Sequence, residues 1–378
     1  MRNLRLFILI ISFTGFVFAQ NPGSRSLLHT HTGRTFDEGR FEIHSNLNFF
    51  TKLGDFIGNA SLKPSSFTAA NYWDVSGSLM LTYGILDNLD LTVAPRIYQD
   101  THYPNEYNLP DDIFVTLKAG SFAFGNRRFY GAGMVNIRFG TGEAHNYPFA
   151  EYASGALEFG LMGALSYYTD PYLPDRSFST HLNLGWYNHN DASKVVYKRK
   201  NVEQKSGVNA TELQYGLGFL YPIGEFDFML EVNGISYIQQ PDTMVYSRED
   251  YTYVTPSLRY KPLGWISMDL GVDIRISSDK DETKGVYVFT KSLDLPNYSA
   301  WKVNLGLNIT VLPLTQSSLS PAEVERQQFN KRVDFFQSII EERERVEDVQ
   351  EELDKLQKER EEAEKELEEL KQILEEEG

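Results

Sequence analysis

The side chains in this sequence best suited to acid–base chemistry are its seven histidines, since the chain contains no cysteine. Ser179 and His181 form the nearest Ser/His pair and lie two residues apart on a predicted strand, so their side chains would face the same side. Such a pair can supply a nucleophile and its base. Both would face the interior of the barrel predicted below, however, whereas a lipid-cleaving site would face outward, and no hydrolase motif surrounds them. We therefore predict that the protein is not an enzyme.

Metal binding is the other chemistry that histidines could support. His29 and His31, in the stretch LHTHTG, could contact a metal ion. Two ligands are fewer than a structural or catalytic zinc site uses, and without cysteine no thiolate ligand or disulfide can form. The sequence therefore predicts neither a metal site nor a cofactor.

A larger group of charged residues shares one parity along the predicted strands, opposite to the apolar residues. Buried together, charges of both signs must be paired or hydrated. Two interpretations remain open: a salt-bridge network that stiffens the barrel, or a charged constriction in a narrow aqueous channel. Six acidic and six basic side chains make up the group, so strong ion selectivity is not expected. The candidate lumen residues are Glu42, Arg96, Lys118, Arg138, Glu158, Glu212, Glu231, Arg259, Asp269, Asp273, Arg275 and Lys302, together with His44 and His181.

Strands that alternate between apolar and polar residues must position these side chains. Trp301 to Val311 is a clear example, because every second residue from Trp301 is apolar and those between are polar or small. Short turns alternate with long polar connections along the chain, which is typical of transmembrane β-barrels. The predicted strands are 41–52, 72–85, 88–99, 112–123, 128–140, 155–168, 177–188, 210–222, 224–237, 252–261, 265–276 and 300–312.

The composition is compatible with such a barrel. Mean hydropathy is −0.38, but every second residue of a barrel strand faces the lumen and can be polar. Aromatic residues make up 13% of the chain, as expected if they form belts at the two membrane interfaces. At the N-terminus, Arg2 and Arg5 precede an apolar run that ends in Val17-Phe18-Ala19, which is the layout of a secretory signal peptide over residues 1–19.

Several stretches resemble the phenol-degradation meta-pathway family of outer-membrane, transporter-like proteins. They are IRFGTG (137–142), GALEFGLMGALSYYTD (155–170), HLNLGWYNH (181–189), FMLEVNGIS (228–236) and TPSLRYKPLGWISMDLGVDI (255–274). The resemblance covers roughly 39–312 and implies an outer-membrane transport barrel. Asn304, Gly306, Ile309 and Val311 also resemble the last-strand signal that the barrel-assembly machinery reads. Members of the family usually end near that strand, whereas this chain continues.

The continuation has the pattern of a long acidic helix. Ser320, Pro321 and Glu323 form a helix start with a capping box, and residues 321–378 carry 21 Asp and Glu against 10 Lys and Arg. Apolar residues follow a heptad pattern, which predicts a coiled coil. The predicted seam is Val346, Val349, Leu353, Leu356, Arg360, Ala363, Leu367, Leu370 and Leu374.

Together these patterns predict an all-β transmembrane barrel of about twelve antiparallel strands (39–312) in the bacterial outer membrane. A short N-terminal periplasmic segment (20–38) would precede the barrel, and a linker (313–320) and a periplasmic coiled-coil helix (321–378) would follow it. The expected function is a channel or passive transporter for small solutes, in a porin-like barrel. The alternative is a non-conducting barrel that anchors the coiled coil to envelope partners. Expected partners are outer-membrane lipid, the barrel-assembly machinery, and a periplasmic protein or further copies of the chain, but not nucleic acid.

Overall fold

The computed structural model describes residues 25–54, 70–101, 112–141, 150–199, 202–278, 280, 282–283 and 297–313. It also describes the helical residues 329–330, 332–340, 342–343, 353–363 and 365. The signal peptide, the helix cap at Ser320 and part of the heptad seam (Val346, Val349, Leu367, Leu370 and Leu374) lie outside the described residues. By its internal contacts the chain divides into two compact units, Met1–Ser318 and Leu319–Gly378.

Twelve antiparallel strands close into a barrel. The predicted barrel is confirmed, and each observed strand boundary lies within two residues of the predicted one. The barrel strands are β1 (Phe41–Gly54), β2 (Ala70–Leu86), β3 (Leu89–Thr101), β4 (Asp112–Phe124), β5 (Phe129–Gly140), β6 (Leu157–Tyr168), β7 (Ser179–Asn188), β10 (Thr211–Ile223), β11 (Phe226–Gln239), β12 (Tyr251–Leu263), β13 (Ile266–Arg275) and β14 (Trp301–Leu312). Closure follows because β1 pairs with both β2 and β14.

The sequence did not predict a second, two-stranded sheet in the connection between β7 and β10. It pairs β8 (Val195–Arg199) with β9 (Val202–Lys205). At five and four residues, these strands are too short for alternation to distinguish them from loop.

The two ends of the barrel differ. Five connections lie at one end, four of them only two to four residues long, such as Asp87-Asn88 and Gly224-Glu225, and β1 starts and β14 finishes at the same end. We call this the turn end. The other six connections, of ten or more residues each, join the strands at the opposite end, which we call the loop end.

Burial along the strands is reversed relative to a soluble protein. In β6, Leu157, Phe159 and Leu165 are exposed on the outside, whereas Glu158 and Ser166 are buried inside. Alternation of this kind presents apolar side chains outward and polar ones to the lumen, as a bilayer requires. Aromatic pairs occur outside near both ends, such as Phe226 with Tyr260 at the turn end and Phe159 with Trp186 at the loop end.

Residues 25–37 run along the inside of the barrel to its turn end, where Asp37 is exposed, and we call them the inserted segment. The sequence predicts 20–38 as a segment ahead of the barrel, and nothing in that stretch predicts that part of it is enclosed. Burial shows the enclosure, since Leu27, Leu28 and Thr30 are no more than 1% exposed. The alternation of apolar and polar residues predicts strands, but it could not predict where this segment lies. The segment is held by hydrogen bonds from its backbone to lumen side chains and not by pairing with a barrel strand.

The second unit is helical where it is described. Of the predicted coiled-coil seam, Leu353, Leu356, Arg360 and Ala363 are helical and exposed. Within the described part of the chain, no helix is both long and apolar enough to cross a bilayer.

Candidate functional site

The inserted segment begins with a tight hairpin whose tip is held by one carboxylate. Ser26 and His31 form an antiparallel bridge, and the Leu27 N–H donates to the carbonyl of Thr30. At the tip, the backbone N–H groups of Leu28, His29 and Thr30 all donate to the Glu231 carboxylate, at 2.9, 2.9 and 2.6 Å. Hydrogen bonds to a charged acceptor are stronger than neutral ones, so Glu231 is the main polar anchor of the tip.

A second carboxylate fixes the His29 side chain. Its Nε2 lies 2.8 Å from Oδ1 of Asp273, which also accepts a hydrogen bond from the Thr255 hydroxyl. Burial lowers the pKa of His29, but the charge of Asp273 and its hydrogen bond outweigh burial and raise that pKa to about 9. His29 is therefore protonated at neutral pH and forms an ion pair with Asp273.

Further polar side chains hold the segment on its way to the turn end. Asn183 accepts from the His31 N–H and donates to the His31 carbonyl, both at 2.7 Å. The Gly33 N–H donates to the Ser166 hydroxyl, and the Phe36 N–H donates to the Asp90 carboxylate.

Glycines on the barrel wall make room for the segment. A Cβ at Gly218 would come within 2.8 Å of Leu27 Cδ2, and a Cβ at Gly271 would collide with Leu28. The Leu27 and Leu28 side chains would have to shift to accept a larger residue at either position. The wall is therefore shaped to receive the segment at its apolar contacts as well as at its polar ones.

Ion pairs tie the segment to the turn end. Arg25 and Arg34 both reach Asp175, in the connection between β6 and β7, and the Arg25 Nε–H donates to the carbonyl of Thr35. Two of the candidate lumen residues contact the segment backbone here: Arg259 Nη1 lies 3.2 Å from the Ser26 carbonyl, and Lys118 Nζ lies 3.3 Å from the Arg25 carbonyl.

A buried charge cluster occupies the lumen nearer the loop end. Arg138 binds Asp112 and lies 3.6 Å from Glu158. His189 lies between Glu158 and Glu212, at 3.2 and 3.3 Å. Burial lowers the pKa of His189, but the two carboxylates outweigh burial and raise it to about 10, so this residue is also a cation at neutral pH.

The other candidate lumen residues lie in separate contacts around the wall. Arg259 forms a two-pronged ion pair with Asp269, at 2.7 and 3.0 Å. The remaining four candidate residues contact other groups. Glu42 binds Arg40, and Arg96 lies 4.0 Å from Asp112. Arg275 donates to the Tyr298 carbonyl, and the Lys302 ammonium lies over the Tyr253 ring. The structure thus brings Arg138, Glu158 and Glu212 into one cluster, and Glu231 and Asp273 to the hairpin tip.

Sequence reasoning missed several residues of these contacts. Asp90 faces the lumen with Thr92 on β3 and sits opposite Lys118 in the register, so strand parity could have identified it. Asn183 and Ser166 are uncharged and were not singled out. Nothing in the local sequence of His189 indicates that it would lie between two carboxylates.

The Ser179 and His181 pair forms, and a second hydroxyl holds the other side of the histidine ring. His181 Nε2 lies 2.9 Å from the Ser179 hydroxyl, and its Nδ1 lies 2.7 Å from the Ser166 hydroxyl. Ser166 in turn accepts from Gly33, so the histidine belongs to the contacts that surround the inserted segment. Among the residues that the structure describes, no group of three His, Asp or Glu side chains could hold a metal ion.

Long connections pack together over the loop end. Tyr298 donates to the Glu249 carbonyl at 2.8 Å, and Tyr152 donates to Asp191 at 2.8 Å. Beneath them lies a polar cavity of about 20 Å³, enough for about one water molecule. Arg138, Glu212 and several tyrosines line it. The inserted segment and the described loops thus both occupy space within the lumen or over its loop end.

The ion pair between His29 and Asp273 predicts a pH dependence of lumen closure. When the segment leaves, the pKa of His29 returns to an ordinary value of about 6.5. Because the pKa is higher in the inserted state, the stabilisation is complete below about pH 6.5 and is lost as pH rises through about 9. We expect ion conductance to increase as pH rises from about 6.5 to about 10, as measured in planar bilayers, and to change much less in His29→Gln. An equal pH response in this variant would show that another group controls it.

No family model matches the chain, and no curated protein matches its sequence, so the family that the strand sequences resemble is not shown. Solved outer-membrane channels are similar in fold. The NanC porin has 11% identity and a TM-score of 0.43, with 70% of this chain and 98% of that chain covered. The COG4313 outer membrane channel from Pseudomonas putida F1 has 9% identity and a TM-score of 0.44, with 77% and 100% covered. The Pseudomonas putida toluene transporter TodX has 10% identity and a TM-score of 0.35, with 79% and 99% covered. Similarity at this level assigns no activity to the chain.

Proposed function

We propose that the protein is a channel or passive transporter for small solutes in the bacterial outer membrane, closed at rest by its own inserted segment and loops. The apolar outside of the barrel supports a position in a bilayer, because exposed residues such as Leu182, Leu184 and Phe228 would otherwise face water. The proposed signal peptide over residues 1–19 would direct export.

The observation that carries the proposal is that the inserted segment, which is not one of the barrel strands, occupies part of the lumen. A twelve-stranded barrel encloses more space than an eight-stranded one, which side chains can fill. Here the strands present glycines at Gly216, Gly218 and Gly271, and the inserted segment fills the space they leave. The segment is attached to these walls by hydrogen bonds and ion pairs, which water can replace when it leaves.

The test is to record the refolded mature protein, residues 20–378, in planar bilayers. We expect discrete conductance steps. Removing residues 319–378 should leave them unchanged, because those residues form a separate unit from the barrel. A heat-modifiable, folded barrel that never conducts would contradict the proposal.

The second candidate function is a non-conducting anchor for the C-terminal helix. The buried cluster of Arg138, Glu158, His189 and Glu212 favours it, since such a network fills lumen space. We further propose that residues 321–378 lie in the periplasm as a coiled coil for oligomerisation or tethering. Exposed apolar residues such as Phe336, Ile340 and Leu356 on the helix support an interaction role. If the protein is an anchor, removing residues 319–378 would abolish its effect on the cell envelope. The intact chain would show no conductance in that case.

A further inference from the structure

One part of the lumen wall is polar but carries no full charge. It lies on three adjacent strands, β14, β1 and β2, where lumen-facing residues pair across the strands. Asn46 lies opposite Ser78 on one side and Gly306 on the other, and Asn48 lies opposite Ser76 and Asn304. We call these six side chains the amide wall: Asn46, Asn48, Ser76, Ser78, Asn304 and Asn308.

Several atoms of this wall have no protein partner. The Oδ1 atoms of Asn46, Asn48 and Asn304 are buried and accept no hydrogen bond. Nε2 of the adjacent His44 is also buried and unpartnered. Asn46, Asn304 and His44 are each at least nine-tenths buried. Buried polar groups are normally hydrogen-bonded, so water or a small polar solute supplies the missing partners on this wall.

The inserted segment is attached to other strands of the barrel. Its anchors described above lie on β3, β6, β7, β11 and β13, through Asp90, Ser166, Asn183, Glu231 and Asp273. Strands β14, β1 and β2 lie next to one another between β13 and β3, and they carry none of these five anchors. The amide wall therefore occupies the stretch of the lumen wall between the anchors on β13 and β3.

We propose that the amide wall is the path along which small uncharged polar solutes cross the barrel, an inference that rests on the proposed channel function. Amide and hydroxyl groups can exchange hydrogen bonds with water or with the hydroxyl groups of a small polyol or sugar. A wall without full charge binds such solutes without requiring a counter-ion. Gly306, opposite Asn46, has no side chain of its own, and the Asp269 and His44 side chains lie against it.

Because the chain has no cysteine, single cysteines can locate the path without further changes. Asn46→Cys and Ser78→Cys place a thiol on the amide wall. Asn183→Cys is the matched control, because it places a thiol on the lumen wall where the segment is bound. Each variant, as the full mature chain, is recorded in a planar bilayer before and after a cationic methanethiosulfonate reagent is added.

We expect the reagent to remove most of the conductance of both amide-wall variants and to leave that of Asn183→Cys nearly unchanged. Ser78→Cys decides the outcome if Asn46→Cys does not fold. Block of Asn183→Cys with no effect on either amide-wall variant would overturn the proposed path while leaving the channel function in place. A folded, unmodified protein that does not conduct would overturn both.

The solute class is tested separately by the swelling of liposomes that contain the unmodified protein. We expect faster swelling in isotonic arabinose than in isotonic potassium gluconate, relative to liposomes without protein. Equal rates, or faster swelling in gluconate, would overturn the assignment to uncharged solutes.

Discussion

Deleting residues 20–37 from the mature chain is expected to raise the single-channel conductance several-fold. The deletion removes the inserted segment from a lumen in which residues such as Leu27, Leu28 and Thr30 are almost completely enclosed. Water then solvates the carboxylates of Glu231 and Asp273, which bind the hairpin tip in the intact chain. Conductance in planar bilayers measures the effect directly.

Glu231→Gln provides an intermediate variant that keeps the segment in place. The glutamine has the same shape but no charge, and only one of its two polar atoms can accept the N–H groups that Glu231 binds. We expect a conductance between those of the intact chain and the deletion. If the deletion conducted no better than the intact chain, the segment would not restrict the lumen.

Replacing Arg138 with methionine is expected to destabilise the barrel by about 3–5 kcal/mol, the usual cost of breaking a buried ion pair from one side. Arg138 is 4% exposed and donates to Asp112 and to the Tyr152 carbonyl. Without it, Asp112 and Glu158 lose their shared cation. Urea-induced unfolding in phospholipid vesicles would show a lower midpoint.

Two further substitutions test whether the loss of stability in Arg138→Met comes from the buried ion pair or from the removal of any positive charge. Arg176→Met, in the exposed turn between β6 and β7, should change the free energy of unfolding by less than about 0.5 kcal/mol. Arg138→Lys should recover part of the loss, because lysine keeps the charge but not the planar, two-pronged geometry. If Arg138→Met were as stable as Arg176→Met, the buried cluster would contribute little to stability.

The fold could be predicted from sequence because a membrane barrel repeats one simple rule. Alternation identified all twelve barrel strands, and the parity of Glu158 or Asp269 placed each side chain on the lumen side before any contact was known. The alternation does not predict which lumen side chains form ion pairs with one another. Asp112 and His189 join Arg138 and Glu158 through strand register and a loop, which periodicity alone does not report.

The inserted segment could not be predicted because its sequence carries no periodic signal. Thr30, His31 and Gly33 are ordinary loop residues, and their position depends on side chains more than 130 residues further along the chain. Glu231 and Asn183 were identifiable only as lumen-facing residues. Their role at the segment follows from three-dimensional contacts between distant parts of the chain.

The most direct test of the central claim, that residues 25–37 occupy and restrict the lumen, is an engineered disulfide that combines Thr30→Cys with Gly216→Cys. A Cβ at Gly216 would lie 3.3 Å from Thr30 Oγ1, close to the separation needed for a disulfide. Thr30→Cys with Gly133→Cys is the control, since a Cβ at Gly133 has no atom within 4 Å. We predict that only the first pair crosslinks in the folded, membrane-inserted protein, that it conducts less than the control while oxidised, and that reduction restores conductance. Failure of the first pair of introduced thiols to crosslink in the folded barrel, or a crosslinked barrel that conducts as well as the reduced one, would contradict the claim.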